Sequence, residues 1–185
     1  LLAEARGLPA EVAALLHTLP RDCHPLDALR TAISLAAIRD PDVRSSDPAA
    51  NHRKAIRLMA LVPEAVAAWH RIRSGREPVA GPRDGAHAAH FLHLLEGRAP
   101  TAEVARVLDF FFNDPAAPEI YASTFAARVA VATLADLHAA VVAAISTLKG
   151  PRHGGANDDV LAMLHEIGDP TRAEAYVEAR IGGAG

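Results

Sequence analysis

The stretch His24-Pro-Leu-Asp-Ala-Leu-Arg-Thr-Ala-Ile-Ser-Leu-Ala-Ala-Ile-Arg-Asp-Pro41 shows most clearly which fold class this chain adopts. Its apolar residues recur at helical spacing, at Leu29, Ile33 and Ala37, and so share one face of an α-helix. The proline after His24 suits a first helical turn, where its missing N–H would have no partner anyway. The closing Asp-Pro pair stops the pattern. The stretch therefore predicts one amphipathic helix that begins at His24-Pro25 and ends before Asp40.

Similar signals for the starts and ends of helices recur along the rest of the chain. Pro9 precedes an apolar pattern at helical spacing, and Thr101 is the expected N-cap of another helix. Pro63 lies inside a longer pattern and must either kink that helix or end its first half. Gly75 to Gly85 predicts a loop, and Gly97 is the expected C-cap of the helix that ends at Glu96. After the first two, the predicted helices cover about 48–73, 86–96, 102–111, 123–148, 158–167 and 171–181. The helix over 123–148 is expected to end at Gly150-Pro151.

No stretch shows the apolar alternation of a strand or the dipeptide of a hairpin turn. The sequence therefore predicts an all-α protein. Half of the residues are hydrophobic but only 4% are aromatic, so alanine and the aliphatic residues must fill the core. A formal net charge of −3 and the absence of a basic run argue against a nucleic-acid or membrane partner.

The single cysteine, Cys23, excludes a disulfide within this sequence and fits a reducing compartment. No segment has the organisation of a secretion signal, so we expect a soluble, cytoplasmic protein. The chain starts at Leu1 without a methionine and stops at Gly185, so both ends look cut. The sequence by itself is compatible with a cut end and with a true terminus at Gly185.

Several motifs together resemble citrate synthases of the bacterial type, including the 2-methylcitrate synthases. The two most specific are Ala122-Ser-Thr-Phe-Ala-Ala-Arg128 and Gly150-Pro-Arg-His-Gly-Gly-Ala-Asn157. The others are Leu8-Pro9, His24-Pro-Leu-Asp-Ala-Leu-Arg30, Lys54-Ala-Ile-Arg57 and His87-Ala-Ala-His-Phe-Leu92. The resemblance covers nearly the whole chain.

This resemblance implies an acyltransferase that condenses acetyl-CoA or propionyl-CoA with oxaloacetate, giving citrate or 2-methylcitrate. It makes His153 the histidine that stabilises the enol and Ser123 the serine that hydrogen-bonds it. We assign Gly154, Gly155 and Asn157 to substrate binding. The implied architecture is a homodimer of two-domain helical subunits, with residues 1–154 in an incomplete large domain and 155–185 beginning the small domain. The CoA thioester is a substrate, and no cofactor or metal is expected.

The local chemistry around His153 agrees with that role. Glycines at Gly154 and Gly155 let a ligand approach the backbone closely. Asn157 is the expected N-cap of the next helix, whose dipole disfavours a charged imidazolium. We therefore expect a neutral His153 that donates a hydrogen bond to the enol oxygen.

The motif before Ala122 departs from the family pattern. The family has His-Ala-Asp-His-Glu-x-Asn there, and this chain has Pro115-Ala-Ala-Pro-Glu-Ile-Tyr121. Pro118 replaces a histidine that contacts oxaloacetate, and Tyr121 replaces an asparagine. The family's Gly-x-Gly-His motif and catalytic aspartate also have no counterpart before Gly185. A rival hypothesis is therefore a catalytically impaired citrate-synthase-like protein with a binding or regulatory role.

Two further groups invite a functional interpretation. His87, His90 and His93 are spaced around most of a helical turn, which favours helix packing over a metal site. A basic group near Pro63 could contact a CoA phosphate, and it consists of Lys54, Arg57, Arg71, Arg73 and Arg76. A solvated face is the interpretation we favour for it.

Overall fold

The computed structural model describes residues 1–112 and 122–150, together with 162–163, 165–169, 172, 175–176 and 179. Among these residues every regular element is a helix, so the all-α prediction is confirmed. The helices are α1 (Leu2–Ala5), α2 (Ala10–Thr18), α3 (Pro25–Arg39), α4 (Pro48–Arg73), α5 (His87–Glu96), α6 (Ala102–Phe112), α7 (Ala122–Ala132) and α8 (Leu137–Leu148).

The chain divides into two compact units, Leu1–Ser146 and Thr147–Gly185. The predicted boundary between large and small domain, after Gly154, lies outside the described residues and stays a prediction. None of the described helices is both long enough and apolar enough to span a membrane.

Helix α4 is the centre of the first unit, and α1, α2, α3 and α5 pack against it. Its buried residues, among them Leu58, Leu61 and Trp69, meet Leu16 of α2 and Ile33 of α3 in one hydrophobic core. The core is built mostly from aliphatic side chains and alanine, as the composition requires.

Pro63 lies inside α4, and the helix runs through it from Pro48 to Arg73. The alternative in which Pro63 ends the first half of this helix is therefore wrong. A proline inside a helix costs about 3 kcal/mol. Apolar residues are buried on both sides of Pro63, from Leu58 to Ile72, and each fully buried aliphatic or aromatic side chain contributes roughly 1.5–3 kcal/mol. Packing along the whole helix thus outweighs the defect.

The predicted helix over 123–148 is also wrong, because the structure has two helices there. Helix α7 ends at Ala132, where the Thr133 hydroxyl donates to the Ala130 carbonyl at 2.7 Å. Leu134 adopts a left-handed backbone with φ of 63°, which no continuous helix allows. Asp136 then starts α8, since its Oδ1 accepts the Ala139 amide at 3.0 Å.

Other predicted helix ends are confirmed. The imidazole of His24 accepts the Leu26 amide at 3.2 Å and so caps α3 in front of Pro25. The Thr101 hydroxyl accepts the Val104 amide at 3.4 Å at the start of α6. Gly97 follows α5 with φ of 79°, the left-handed conformation that favours glycine at a helix C-terminus.

Candidate functional site

Ser123 is the second residue of α7 and is partly buried. Helix α7 begins at Ala122, so the Ala-Ser-Thr-Phe motif forms its first turn. The other predicted site residues, His153, Gly154, Gly155 and Asn157, lie outside the described residues. The predicted hydrogen bond between Ser123 and His153 therefore stays a prediction.

The approach to the predicted histidine is described as far as Gly150. Helix α8 ends at Leu148, and the Gly150 amide donates to the Thr147 carbonyl at 3.1 Å. The predicted end of this helix at Gly150-Pro151 is thereby confirmed. Pro118 and Tyr121, which depart from the family pattern, lie outside the described residues.

A buried polar network that the sequence did not reveal joins the end of α3 to α4. Both Arg57 nitrogens Nε and Nη2 donate to the Asp40 carboxylate, at 2.8 and 2.6 Å. Arg57 also donates to Asp42 at 2.7 Å. Arg53 donates two hydrogen bonds to the same Asp42 carboxylate, at 3.0 and 2.6 Å. Burial alone would raise the pKa of Asp40, but the hydrogen bond from Arg57 holds that pKa below its usual 3.8.

His138 connects α8 to this network. Its Nε2 lies 3.4 Å from Asp40 Oδ2, and its Nδ1 lies 3.8 Å from Asp136 Oδ1. Burial lowers the pKa of His138 below its usual 6.5, against the two carboxylates, which act to raise it. His138 is therefore neutral at pH 7 and holds α8 beside the end of α3. The one signal of this role in the sequence is that His138 is the only titratable residue of an otherwise apolar helix.

Three members of the basic group, Lys54, Arg57 and Arg71, are not the solvated cations that we favoured, whereas Arg73 and Arg76 are exposed as predicted. Lys54 is only 1% exposed, and its ammonium donates to the Ser45 carbonyl at 2.7 Å. Arg57 forms ion pairs with Asp40 and Asp42. Arg71 donates to the carbonyls of Glu77 and Leu95, which ties the end of α4 to the following loop and to α5. These cations act mainly in the structure of the protein.

His90 is a core residue, in agreement with the helix-packing interpretation. It is 2% exposed, its Nε2 lies 2.9 Å from Glu64 Oε1, and its Nδ1 lies 2.9 Å from the Pro82 carbonyl. Because that carbonyl can only accept, Nδ1 carries a proton. Glu64 also accepts the Gly7 amide at 3.0 Å. No group of three potential metal ligands occurs in the described part of the chain.

The described part of the chain is helical, α7 begins with the Ala-Ser-Thr-Phe motif, and the sequence Gly-Pro-Arg-His-Gly-Gly follows α8. The profile of the family described as "Citrate synthase, C-terminal domain" matches residues 1–184. The chain belongs to the citrate synthase family.

Its relatives include enzymes of both kinds that the motifs resemble. The chain is 44% identical to citrate synthase 2 of Bacillus subtilis over 181 residues, which cover 97% of this chain and 49% of that protein. It is 41% identical to the 2-methylcitrate synthase of Mycobacterium tuberculosis over 177 residues, covering 96% and 44%. The chain therefore spans about half the length of the curated relatives it matches.

Solved structures agree with the fold. The crystal structure of citrate synthase from Pyrobaculum aerophilum matches with a TM-score of 0.84 and 35% identity, over 96% of this chain and 46% of that one. The citrate synthase of Thermotoga maritima MSB8 matches with a TM-score of 0.76 and 34% identity, over 98% and 47%.

Proposed function

We propose that the protein containing this chain condenses acetyl-CoA or propionyl-CoA with oxaloacetate and releases citrate or 2-methylcitrate. The observation that carries the proposal is the family match over residues 1–184, together with relatives named for both reactions. The comparisons give no support to the rival hypothesis of an impaired protein.

In this proposal the acyl-CoA α-carbon loses a proton to a base that this chain does not contain, and His153 donates a hydrogen bond to the resulting enol oxygen. The enol carbon then bonds to the keto carbon of oxaloacetate, and water cleaves the thioester to free the CoA thiol. Ser123, at the start of α7, hydrogen-bonds His153 and so fixes its tautomer. A preorganised donor at the developing oxyanion contributes on the order of 10²–10³ in rate.

Gly154 and Gly155 would bring backbone amides close to the substrate, and Asn157 would cap the next helix at the substrate-binding segment. No cofactor or metal takes part in this proposal, since the CoA thioester is a substrate and the enol is held by hydrogen bonds. A single cysteine supports a cytoplasmic location.

The proposed assembly is a homodimer that uses α7. No residue of α7 is buried, although the helix has few charges. Phe125 is 67% exposed and Val129 50% exposed, so an apolar face of this helix is uncovered in the single chain. Burying that face between two copies would stabilise the pair by roughly 25 cal/mol per Å² of apolar surface.

The test is release of the CoA thiol from acetyl-CoA and from propionyl-CoA with oxaloacetate, using the natural full-length protein. We expect turnover in the wild type and a loss of about 10²–10³ or more in kcat for His153→Ala. His52→Ala replaces an exposed histidine on α4 and serves as the matched control, with unchanged kcat. Absence of turnover in a protein that still binds CoA would contradict the proposal and favour the impaired rival.

A further inference from the structure

A cavity of about 820 Å³ lies between the loop that precedes α4 and the turn that joins α7 to α8. It belongs entirely to the first compact unit. Arg44, Ser46 and Lys54 line one side, and Val131 and Leu134 line the other. The cavity therefore has a cationic, hydrogen-bonding side, and its other side combines apolar side chains with the Asp136 carboxylate.

Lys54 brings a buried positive charge to this cavity. Its side chain is almost fully removed from solvent, and its only bond to the described residues is the one to the Ser45 carbonyl, at 2.7 Å. An ammonium has three N–H donors, and a buried charge is normally compensated by an opposite one. The nearby carboxylates of Asp40 and Asp42 are already occupied by Arg57 and Arg53. The charge of Lys54 is therefore left without a counter-ion in the described part of the chain.

Arg44 adds a second cation at the mouth of the cavity. It is exposed, and it forms no hydrogen bond or ion pair with any other described residue. The carboxylate that shares the cavity, Asp136, is engaged in capping α8 through the Ala139 amide. Two cations thus face one carboxylate, which gives the cavity a net positive charge and favours an anion.

The opposite wall favours a hydrocarbon group. Leu134 is 84% exposed and Val131 48% exposed, although both are large apolar side chains. Leu134 lies on the turn between α7 and α8, where its backbone is left-handed. A ligand that covered both side chains would remove apolar surface from water at roughly 25 cal/mol per Å².

We propose that this cavity binds a small organic carboxylate with a hydrocarbon body. The carboxylate pairs with Arg44 and hydrogen-bonds the Ser46 hydroxyl, while Lys54 supplies a fixed positive charge behind the wall. The hydrocarbon body covers Leu134 and Val131. None of the residues assigned above to condensation lines the cavity, so this site goes beyond the proposed reaction.

The probe is hexanoate, titrated into the full-length protein while the methyl resonances of Leu134 are followed by NMR. We expect saturable shifts with a Kd of about 1–10 mM, a range that suits one ion pair and a short apolar contact. Acetate has the carboxylate alone and hexan-1-ol the hydrocarbon alone. We expect each to bind at least about tenfold more weakly than hexanoate.

Two variants and two matched controls separate this site from nonspecific binding. Arg44→Ala and Leu134→Ser are exposed substitutions and should each weaken hexanoate binding at least about tenfold, while Arg98→Ala and Val104→Ser, exposed changes elsewhere, should leave it unchanged. In the Leu134→Ser protein the methyl groups of Val131 report binding. Unchanged resonances at 200 mM hexanoate (about twentyfold above the upper expected Kd) or equal affinity in Arg44→Ala would overturn the proposal.

Discussion

His138 Nε2 lies 3.4 Å from Asp40 Oδ2, and both side chains are 3% exposed, so a buried imidazole and a buried carboxylate hold α8 beside the end of α3. Asp136, Lys54 and Arg57 are the other charged groups that influence this histidine. The pair couples two helices that are far apart in sequence. The second of these helices, α8, is followed in the sequence by the segment that contains the predicted catalytic histidine, His153.

This pair predicts a loss of stability at mildly acidic pH. Burial lowers the pKa of His138 in the folded protein below its usual 6.5, so the unfolded chain takes up a proton there at a higher pH than the folded protein does. The free energy of unfolding therefore falls as the pH decreases below about 6.5. Urea unfolding monitored through Trp69, the single tryptophan, measures this dependence.

His138→Gln provides the control for that slope. Glutamine cannot titrate, so the variant should lose less stability than the wild type between pH 7.5 and pH 5.5, while the other histidines contribute equally to both proteins. Parallel pH profiles in the two proteins would show that His138 does not titrate as its burial requires.

Arg57→Ala tests the bidentate pair with Asp40. Removing the guanidinium leaves the buried Asp40 carboxylate without a paired cation, with only the Asp42 amide and the neutral His138 beside it. Breaking a buried ion pair in this way costs roughly 3 kcal/mol or more. We expect that loss in the free energy of unfolding at pH 7. Arg53→Ala, which breaks a pair at the exposed rim of the same network, should have a clearly smaller effect. Equal effects of the two substitutions would contradict the distinction between buried and exposed partners.

Gly81→Ala tests the contact between the loop after α4 and helix α5. A Cβ at Gly81 would lie 2.7 Å from Cε1 and 2.8 Å from Nδ1 of His90. His90 cannot move aside cheaply, because Glu64 and the Pro82 carbonyl hold its two ring nitrogens. We expect a destabilisation of about 1–3 kcal/mol in urea unfolding. Ala80→Ser adds an atom at the exposed neighbouring position and should be nearly neutral; a neutral Gly81→Ala would mean that the loop is not packed on His90.

The sequence predicted helix ends best where a single residue decides them. Pro25, Thr101 and Gly97 act through their own backbone or side chain, and each lies where its chemistry required. The turn at 133–136 was missed, because it contains no glycine or proline and because leucine seldom adopts the left-handed backbone found at Leu134. Only the Asp136 cap could have signalled the start of α8.

Pairings between distant residues could not be read from the sequence in the same way. Arg57 meets a carboxylate 17 positions away, and Glu64 meets His90 across 26 positions. A basic residue on an amphipathic helix is usually solvated, so Lys54 and Arg57 looked like surface cations until the helix arrangement placed them. The candidate site depends on the family motifs for the same reason: of its predicted residues, only Ser123 falls in the described part of the chain.

The turn between α7 and α8 is strained at Leu134. Leu134 adopts φ of 63°, which costs a residue with a Cβ about 1–2 kcal/mol, and its side chain is too exposed to recover much of that by packing. Leu134→Gly should therefore raise the free energy of unfolding by up to about 1 kcal/mol, after allowing for the greater flexibility of glycine in the unfolded chain. Val131→Gly is the matched control, because Val131 is also exposed but lies inside α7, where glycine costs a further 0.5 kcal/mol or so. Opposite signs for the two substitutions in urea unfolding are expected, and a loss of stability in both would show that the Leu134 side chain stabilises the turn more than its backbone strains it.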